Sequence, residues 1–566
     1  MCPKTRCRYT LTSGQFACHS VDYRFASAQT RPHRHQSPAP RAPTRGRRGR
    51  RAAPGIGIYN NTYDVLLFTS VTAISVLPHL SAATLPPAQM FVNGSWLDGA
   101  ADPIPHIHPA TGEMVFQAPN ADQSAVDAAV TAARAAFDDG LWPRMTGKER
   151  ARYLHKIADL IRADAANLNA LLSLDNATPS SFVGFYQMGA DYPADVFDTY
   201  AGWVDKITGE TYPQWEPTQP FTFTTHEPVG VAGIITPWNA PMSLLAQKVA
   251  PALAAGCALV AKPSELSPLV SLRIAELIAE ADLPPGVFNV VTGPGDPVGK
   301  ALVDDPRVDK VSFTGSRTVG GAIAATVGAR IGRVSLELGG KSPAVIFPDA
   351  DLSMAVGIAA GNAFLGLSGQ VCVCQSRILA HRDVYDDVVS NLIGFAAAAT
   401  FGDPFDPAVS AAPMISTQHM NRVLGHIQTA IGDGAEVAAG GGRAEAAPTA
   451  GNFVAPTVLV NVDNSMAVAR DEIFGPVLCV IPFDDEDEAI RLANDTTYGL
   501  AAAVYTCDVS RALRVSRALR AGNVGVNTWT LQPHAPFGGM KQSGLGRENG
   551  RAGIMEYLDT KTTFLG

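Results

Sequence analysis

The sequence predicts an α/β fold built on buried parallel sheets. Short apolar runs alternate with helical stretches along most of the chain, and most of these runs are bounded by Gly or Pro. Strands of a parallel sheet are buried on both faces, so they read as continuous apolar runs. The chain has 566 residues, of which 46 % are hydrophobic and 17 % are charged, so we expect a globular protein of two or three domains.

The elements follow in order along the chain. Residues 122–175 are rich in Ala and place Tyr153, Ile157, Leu160 and Ile161 three and four positions apart, which is typical of amphipathic helices. Strands are predicted next over residues 229–235, 258–261, 287–291, 311–313 and 344–347, with a helix over residues 269–281. A second series of strands is predicted over residues 458–460, 477–481 and 501–505. This alternation indicates βαβ units.

Charge is distributed unevenly along the chain. The net charge is −8, but residues 1–55 hold twelve Lys or Arg residues against one acid, Asp22, so they carry +11 and the remainder carries −19. An acidic body disfavours nucleic acid as a partner, because the phosphate backbone is also negative.

The eight cysteines are spread irregularly, which does not indicate a disulfide framework. Cys372 and Cys374 are two positions apart and have no neighbouring His, so the sequence contains no spacing typical of metal ligands. We therefore predict a reducing, cytoplasmic compartment and no metal site.

The N-terminal part of the chain differs from the rest. Residues 31–54 are rich in Arg, Pro and Ala, so we predict a disordered, low-complexity extension over residues 1–89. An apolar patch over residues 65–80 raises two alternatives, a targeting signal and a membrane anchor. It starts too far along the chain for a signal and is marginal for a span of about 20 residues. We favour a third interpretation, that translation begins at Met90.

A glutamate and a cysteine in Gly-containing surroundings indicate covalent chemistry on a carbonyl group. Glu337 begins the run Glu-Leu-Gly-Gly-Lys, and Cys372 ends the run Ser-Gly-Gln-Val-Cys, 35 positions later. A thiol attacks a carbonyl carbon, and a carboxylate activates the water that releases the acyl group.

Several further motifs accompany this pair. They are Pro-Trp-Asn at 237–239, Lys-Pro-Ser-Glu at 262–265, Phe-Thr-Gly-Ser at 313–316, Glu-Ile-Phe-Gly-Pro at 472–476, Pro-Phe-Gly-Gly at 536–539 and Ser-Gly-Leu-Gly-Arg-Glu at 543–548. With these motifs in this order, the chain from Met90 to the C-terminus resembles the NAD(P)-dependent aldehyde dehydrogenase family, of the non-acylating, hydrolytic type.

The resemblance implies an aldehyde dehydrogenase-like fold with two Rossmann-like parallel-sheet domains and a small oligomerisation sheet. The expected parts are an NAD-binding domain over 90–209 and 229–339, a catalytic domain over 340–540, and oligomerisation arms over 210–228 and 541–566. The run Phe-Thr-Phe-Thr-Thr at 221–225 supports a strand in the first arm, because apolar and polar residues alternate there. Exposed strands need covering, so a homodimer or homotetramer is expected.

The resemblance also implies the catalytic roles. Cys372 is the expected nucleophile, with backbone amides or the positive nicotinamide lowering the pKa of its thiol. The Asn239 side-chain amide and the Cys372 N–H are the expected donors to the oxyanion. Glu337 is the expected base for thioester hydrolysis, and we expect partial burial to raise its pKa.

The implied cofactor is NAD, with NADP as a second possibility. Residues 315–320 follow a predicted strand and open a helix, so backbone N–H groups there can meet a pyrophosphate. Glu265 favours NAD, because a carboxylate that accepts from the ribose 2′-hydroxyl repels a 2′-phosphate. The residues implied in cofactor binding are Ile235, Thr236, Pro237, Trp238, Lys262, Ser264, Glu265, Phe313, Gly315, Ser316, Gly320, Leu338, Gly339, Glu472 and Phe474.

The partner is a small-molecule aldehyde whose identity the motifs leave open. Cys374 resembles the Cys-x-Cys pair of the succinic semialdehyde branch, in which a redox-switch disulfide can form, and such an enzyme is one alternative. Gln247 stands where that branch carries an Arg, and a neutral amide does not anchor a carboxylate as a charged fork does. We therefore predict a neutral aldehyde, aromatic or medium aliphatic, with Trp529 and Phe537 as pocket walls.

Two rival functions are disfavoured by the same residues. A coenzyme A-acylating enzyme is disfavoured by Glu337, because family members that transfer the acyl group to coenzyme A generally lack this base. A binding protein without turnover is disfavoured by the complete set of Cys372, Asn239 and Glu337, which such a protein has no physical need to keep.

Overall fold

The computed structural model of the chain describes residues 74–185 and 187–566. In chain order its strands are β1 (Met90–Val92), β2 (Ser95–Leu97), β3 (Ala101–Ile107), β4 (Met114–Asn120), β5 (Thr211–Tyr212), β6 (Phe221–Pro228), β7 (Val231–Ile235), β8 (Ala258–Lys262), β9 (Phe288–Val290), β10 (Lys310–Thr314), β11 (Arg333–Glu337), β12 (Pro343–Ile346), β13 (Arg377–His381), β14 (Glu436–Ala439), β15 (Thr457–Val460), β16 (Val477–Phe483), β17 (Ala501–Tyr505), β18 (Asn523–Val526), β19 (Gly544–Leu545) and β20 (Leu558–Leu565).

The α-helices between and around these strands are α1 (Leu77–Ala82), α2 (Gln123–Asp138), α3 (Gly147–Ala163), α4 (Ala165–Asn176), α5 (Ser180–Val183), α6 (Asp191–Ala201), α7 (Pro241–Ala255), α8 (Pro268–Glu280), α9 (Lys300–Asp304), α10 (Arg317–Ala329), α11 (Leu352–Phe364), α12 (Tyr385–Ala397), α13 (Thr417–Gly432), α14 (Ala467–Arg470), α15 (Glu486–Asn494), α16 (Val509–Ala518) and α17 (Gly550–Met555).

Two sheets with mainly parallel strands organise the described residues. The first has the order β19-β11-β10-β7-β8-β9-β1-β2, in which β11 to β9 run parallel and β19, β1 and β2 pair antiparallel at the edges. The second has the order β14-β15-β16-β13-β12-β17-β18, parallel except at β14. Every residue of β7, β8 and β10 is buried, as expected for strands covered on both faces. The predicted α/β fold is confirmed.

Helix boundaries follow from local capping groups. The Asp122 side chain accepts from the N–H of Ala125 at the start of α2. Thr146 and Glu149 form a reciprocal capping box at the start of α3. Helix α7 begins at Pro241, which lacks the N–H that a first helical turn leaves unpaired, and it is followed by a left-handed glycine, Gly256.

A small antiparallel sheet has the order β20-β6-β5. Its strands lie within the two segments predicted as oligomerisation arms, and β6 pairs with β20 along its whole length, from Phe221 with Leu565 to Pro228 with Leu558. The second arm is divided between two sheets, because its residues 544–545 form β19 and pair with β11 of the first sheet.

Part of the predicted disordered extension is folded. Val76 is fully buried, and its N–H donates to the Glu113 carboxylate at 2.8 Å. The His79 ring stacks on Phe405 with centroids 3.9 Å apart. Disorder therefore does not extend through residues 74–89, because an apolar side chain and polar contacts hold this segment to the body. The rest of that prediction lies outside the described residues, as does most of the apolar patch. No helix in the described ranges is long and apolar enough to cross a membrane.

His108 is expected to make stability depend on pH. Its side chain is fully buried, its Nε2–H donates to the Ser173 carbonyl at 3.2 Å, and burial lowers its pKa to about 4. The unfolded chain binds this proton near pH 6.5, so the free energy of unfolding is expected to fall by about 3 kcal/mol between pH 6.5 and pH 4. Urea unfolding across this range checks it. His108→Gln keeps a donor but does not titrate, so it should reduce the slope and leave the part that comes from the buried His419, and an unchanged slope contradicts the assignment.

Candidate active site

Three side chains from separate parts of the chain line one cavity of about 460 Å³. Asn239 lies in the turn between β7 and α7, Glu337 is the last residue of β11, and Cys372 lies in the loop between α11 and β13. In the first sheet the strand order reverses between β7 and β10. Open α/β sheets bind their ligands at such a reversal, outside the carboxyl ends of the strands. The structure thus brings together the three residues predicted to be catalytic.

The Cys372 side chain is partly exposed in this cavity, whereas Cys374 is buried. Burial raises the pKa of the Cys372 thiol to about 12, with further contributions from the carboxylates of Glu472 and Glu337, while its own backbone N–H acts in the opposite direction. The backbone amide lowers this pKa, in the direction expected, but burial outweighs it, and the expected effect of the positive nicotinamide stays a prediction. The thiol needs a base or an added positive charge in order to attack.

Asn239 is held directly beside the loop that carries the thiol. Its side chain is 5 % exposed, and its Nδ2 donates to the Gln370 carbonyl at 2.9 Å, two residues before Cys372. An amide N–H in this position is suitably placed to donate to an oxygen that becomes negative when the thiol attacks.

Glu337 is buried, and its Oε2 has no hydrogen-bond partner among the described residues. Burial raises its pKa well above the ordinary value, and the neighbouring charge of Glu548 raises it further, while Lys248 lowers it. The other oxygen lies against the backbone of Gly538, where a Cβ atom would be only 2.6 Å from Oε1. The pKa of Glu337 is thus shifted in the direction expected from its burial.

A buried ion pair next to Glu337 was not predicted. Lys248 on α7 is fully buried, and its Nζ donates to Glu548 Oε1 and, at 3.3 Å, to Ser312 Oγ. The sequence did contain a signal, since Lys248 interrupts an apolar helix and a buried cation requires a partner. Nothing local identifies the partner, because Glu548 lies 300 positions away.

Replacing Lys248 with methionine is expected to destabilise the protein by about 3–5 kcal/mol, because the Glu548 carboxylate then stays buried without its cation. Chemical unfolding measures this loss. Lys561→Met is the matched control, since the side chain of Lys561 is 59 % exposed and pairs with Glu227 at the surface. Exposed pairs contribute about 0–1 kcal/mol. Equal losses in the two variants would contradict the prediction.

Many of the predicted cofactor residues lie on the same cavity wall. They are Pro237, Trp238, Gly315, Ser316, Leu338, Gly339, Glu472 and Phe474. Burial raises the pKa of Glu472 to about 7, and its Oε1 accepts from the Gly340 N–H at 3.2 Å. A Cβ atom at residue 339 would lie 2.0 Å from Glu472 Oε2, so a larger residue there would displace the Glu472 carboxylate.

The remaining predicted cofactor residues lie along the carboxyl ends of β7, β8 and β10 or just beyond them, except Gly320, which lies in α10. They are Ile235, Thr236, Lys262, Ser264, Glu265, Phe313 and Gly320. The Lys262 ammonium group already has partners within the protein. Its Nζ donates to the carbonyls of Gly293 at 2.6 Å and Pro263 at 3.0 Å, and it lies 3.5 Å from Glu265 Oε2.

Three residues of α13 that were not predicted also line the cavity, namely Gln418, His419 and Arg422. The His419 Nε2 lies 2.7 Å from the Phe474 carbonyl, and its ring meets the Trp238 ring edge-on. Burial lowers the pKa of His419 to about 4, so this imidazole is neutral at pH 7. The motifs used for the prediction do not include this helix.

The predicted substrate residues separate into two groups. Trp529 and Phe537 pack with Cys372 in one apolar cluster, whose other members are Val373, Leu500, Ala501 and Leu531. Gln247 does not line the cavity. It is 3 % exposed, and its Nε2 donates to the Tyr192 hydroxyl at 2.9 Å and to Asn549 at 3.3 Å, because a buried amide must satisfy its donors internally.

Comparisons with known proteins agree with this geometry. Residues 96–563 match the model of the aldehyde dehydrogenase family. An aldehyde dehydrogenase of Enchytraeus buchholzi is 43 % identical over 84 % of this chain and 95 % of its own length. Human retinal dehydrogenase 2 is 42 % identical over 84 % of this chain and 91 % of its own length. The crystal structure of Staphylococcus aureus betaine aldehyde dehydrogenase with NAD+ superposes with a TM-score of 0.84, at 36 % identity, over 86 % of this chain and 97 % of that one.

Proposed function

The chain belongs to the aldehyde dehydrogenase family, and on that premise we propose that it oxidises an aldehyde to a carboxylic acid with reduction of NAD. The observation that carries the proposal is that Cys372, Asn239 and Glu337 line one cavity together with eight of the residues predicted to hold the cofactor. A nucleophile, an oxyanion donor and a buried base are the three groups that covalent oxidation of an aldehyde requires.

The polypeptide's part in the reaction follows from this arrangement. The Cys372 sulfur bonds to the aldehyde carbon while the carbonyl oxygen becomes negative and accepts from the Asn239 amide. Bound NAD supplies the hydride acceptor. The sulfur attacks as the thiolate, and loss of the aldehyde hydrogen as hydride re-forms the C=O bond and leaves a thioester on Cys372. Glu337 then takes a proton from the water that attacks this thioester, the C–S bond breaks, and the acid and the Cys372 thiolate are released. Its raised pKa makes Glu337 a stronger base than an exposed carboxylate.

The donor set of the cavity is suitable for a dinucleotide. Ser316 lies at the N-terminus of α10, where free N–H groups favour a phosphate, and the Glu472 carboxylate in the cavity wall can accept from a ribose hydroxyl. Glu265 lies outside this wall, in the loop after β8, and its carboxylate can accept from the second ribose. Glu265 supports NAD over NADP, because its charge repels a 2′-phosphate. We assign the cofactor domain to residues 90–209 and 229–339 and the catalytic domain to residues 340–540.

The apolar cluster around Cys372 supports a neutral aldehyde, aromatic or medium aliphatic. Its aromatic members Trp529 and Phe537 offer apolar surface beside the nucleophile, whereas Arg422 in the cavity wall donates to the Glu472 carbonyl, among the residues predicted to hold the cofactor. This favours a neutral substrate over succinic semialdehyde, although Cys374 leaves that alternative open. The relatives named for betaine aldehyde and retinal show that the scaffold serves quite different aldehydes. Glu337 supports hydrolysis over transfer to coenzyme A.

The three-stranded sheet supports a homodimer or homotetramer. Several apolar side chains on or beside it are exposed, including Trp215 at 90 % and Phe564 at 69 %. Unpaired strand edges of this kind are normally covered. Sedimentation of the purified protein tests the assembly. The cysteines are few and irregularly spaced, which supports a reducing compartment such as the cytoplasm, and cell fractionation tests that location.

The activity is tested by recording NADH formation from a panel of aldehydes with NAD and NADP in parallel. The panel should include neutral aromatic and aliphatic aldehydes, betaine aldehyde, retinal and succinic semialdehyde. Turnover of neutral aldehydes with NAD is the expected result. Preference for succinic semialdehyde would overturn the substrate class, a rate that requires coenzyme A would overturn the hydrolytic step, and no turnover with any aldehyde would favour a binding protein.

A further inference from the structure

A group of buried polar side chains at the end of α4 has no part in the reaction as described so far. Ser173, Asp175, Asn176 and Thr178 are each at most 2 % exposed. Asp175 accepts from the N–H groups of Leu269 and Val270 at the start of α8, so its role is to cap that helix. Asn176 faces a different neighbour.

The Asn176 amide binds the backbone of the oxyanion loop. Its Nδ2 donates to the Trp238 carbonyl at 3.2 Å and to the Asn239 carbonyl at 3.3 Å. Trp238 lines the cofactor side of the cavity, and Asn239 carries the amide predicted to stabilise the oxyanion. One buried side chain therefore binds two successive carbonyl groups of this loop, whose position determines where the Asn239 amide lies.

The orientation of the Asn176 amide is itself fixed. Its Oδ1 accepts from both the N–H and the hydroxyl of Thr178, at 3.1 and 2.6 Å. Ala177 between them adopts a left-handed conformation, with φ 55°, which turns the chain back so that both donors of Thr178 reach this oxygen. Because Thr178 donates twice to Asn176 Oδ1, the amide oxygen points towards Thr178 and the NH₂ group points towards the loop of Trp238 and Asn239.

We propose that Asn176 is a positioning residue for the oxyanion hole. It acts through Asn239, whose backbone carbonyl it holds while the Asn239 side chain donates to Gln370 beside the nucleophile. The inference rests on the proposed dehydrogenase activity. A displacement of about 1 Å in a catalytic group costs as much as about 10²-fold in rate. Asn176 touches neither the thiol nor Glu337 in the described contacts, so its effect on the rate has to pass through the loop.

The test compares Asn176→Leu with Asn289→Leu, because leucine is close to asparagine in shape but has no polar atoms. Asn289 is an equally buried asparagine on β9, whose Nδ2 donates to the carbonyls of Leu259 at 3.0 Å and Gly286 at 2.7 Å, away from the cavity. Both variants lose the same kind of bonds. We expect kcat per folded molecule to fall by about 10- to 10²-fold in the first variant and by less than about 2-fold in the second.

A double-mutant cycle separates positioning from general damage. Asn239→Ala alone is expected to lower kcat by about 10²–10³-fold. If Asn176 acts through Asn239, Asn176→Leu costs less than about 3-fold once Asn239 is alanine. Asn176→Asp should recover part of the rate, because a buried, protonated carboxyl group can donate to one of the two carbonyls. An equal cost in both backgrounds, or an equal loss in the Asn289 variant, overturns the proposal.

A substitute variant and the wild-type protein complete the test. If Asn176→Leu does not fold, Thr178→Val replaces it in the same cycle, because it keeps the shape of Thr178 and removes the 2.6 Å bond that orients the amide. A smaller loss of kcat with the same dependence on Asn239 supports the proposal, and no loss overturns it. A wild-type protein that turns over no aldehyde refutes the proposed function itself, whereas an active wild type with an unaffected Asn176 variant refutes only the positioning role.

Discussion

Replacing Cys372 with alanine is expected to abolish NADH formation, with a loss of at least about 10⁴-fold in kcat. The thiol is the only group in the described cavity wall that combines nucleophilic sulfur with access to the substrate. Without the thiol no covalent adduct forms with the aldehyde, and that adduct is the species from which hydride leaves. Steady-state rates with the preferred aldehyde measure the loss, and binding of NAD, followed by tryptophan fluorescence, should stay within a few-fold of the wild type.

Cys374→Ala is the matched control for this variant. It makes the same substitution two positions away, at a thiol that is 6 % exposed and absent from the cavity wall. We expect its rate under reducing conditions to stay within a few-fold of the wild type. If turnover survived in Cys372→Ala but disappeared in Cys374→Ala, the nucleophile would be Cys374 and the assignment to Cys372 would be wrong.

Replacing Glu337 with glutamine is expected to lower kcat by about 10²–10⁴-fold and to change which step limits the rate. Glutamine has nearly the same shape but cannot accept the proton of water, so hydride transfer proceeds and the thioester accumulates. Rapid-mixing absorbance should show a burst of about one NADH per active site before slow turnover. Intact mass should show the protein with one acyl group attached to Cys372.

The same variant tests the pH dependence of the wild type. A base works only when deprotonated, and burial raises the pKa of Glu337 above its ordinary value of 4.5. Hydrolysis should therefore fail as the pH drops through that raised value, well before pH 4.5. Glu337→Gln should lack this dependence. A variant with no burst and an equally slow first turnover would place the role of Glu337 before hydride transfer.

Much of the fold could be predicted from local sequence. The runs at 258–261 and 501–505 became β8 and β17 with bounds within one residue, because a strand buried on both faces leaves a continuous apolar signature. The short strands β1, β2 and β19 at the two ends of the first sheet were missed, since a strand of two or three residues is too short for such a signature. Residues 74–89 were predicted as disordered because their own composition does not show which surface they pack on.

The candidate site was predictable only in part for a similar reason. Motifs identified Cys372, Asn239 and Glu337, and the structure places them together. The groups that support them were not found, because Lys248 and Glu548 are 300 positions apart and Asn176 and Asn239 are 63 apart. Such pairs are defined by the tertiary fold. The net direction of the shift in the thiol pKa could not be predicted from the motif either, because burial outweighs the local amide and is a property of the folded protein.

The buried pair of Lys248 and Glu548 also affects the order in which the protein can fold during synthesis. Ribosomes add about 5–20 residues per second, so 300 residues separate the two partners by roughly 15–60 s. During that interval α7 has emerged, but the carboxylate that neutralises its lysine does not yet exist, and β11 lacks its neighbour β19. Until residues 544–548 have been synthesised, β11 therefore forms the edge of the first sheet and Lys248 lacks its partner.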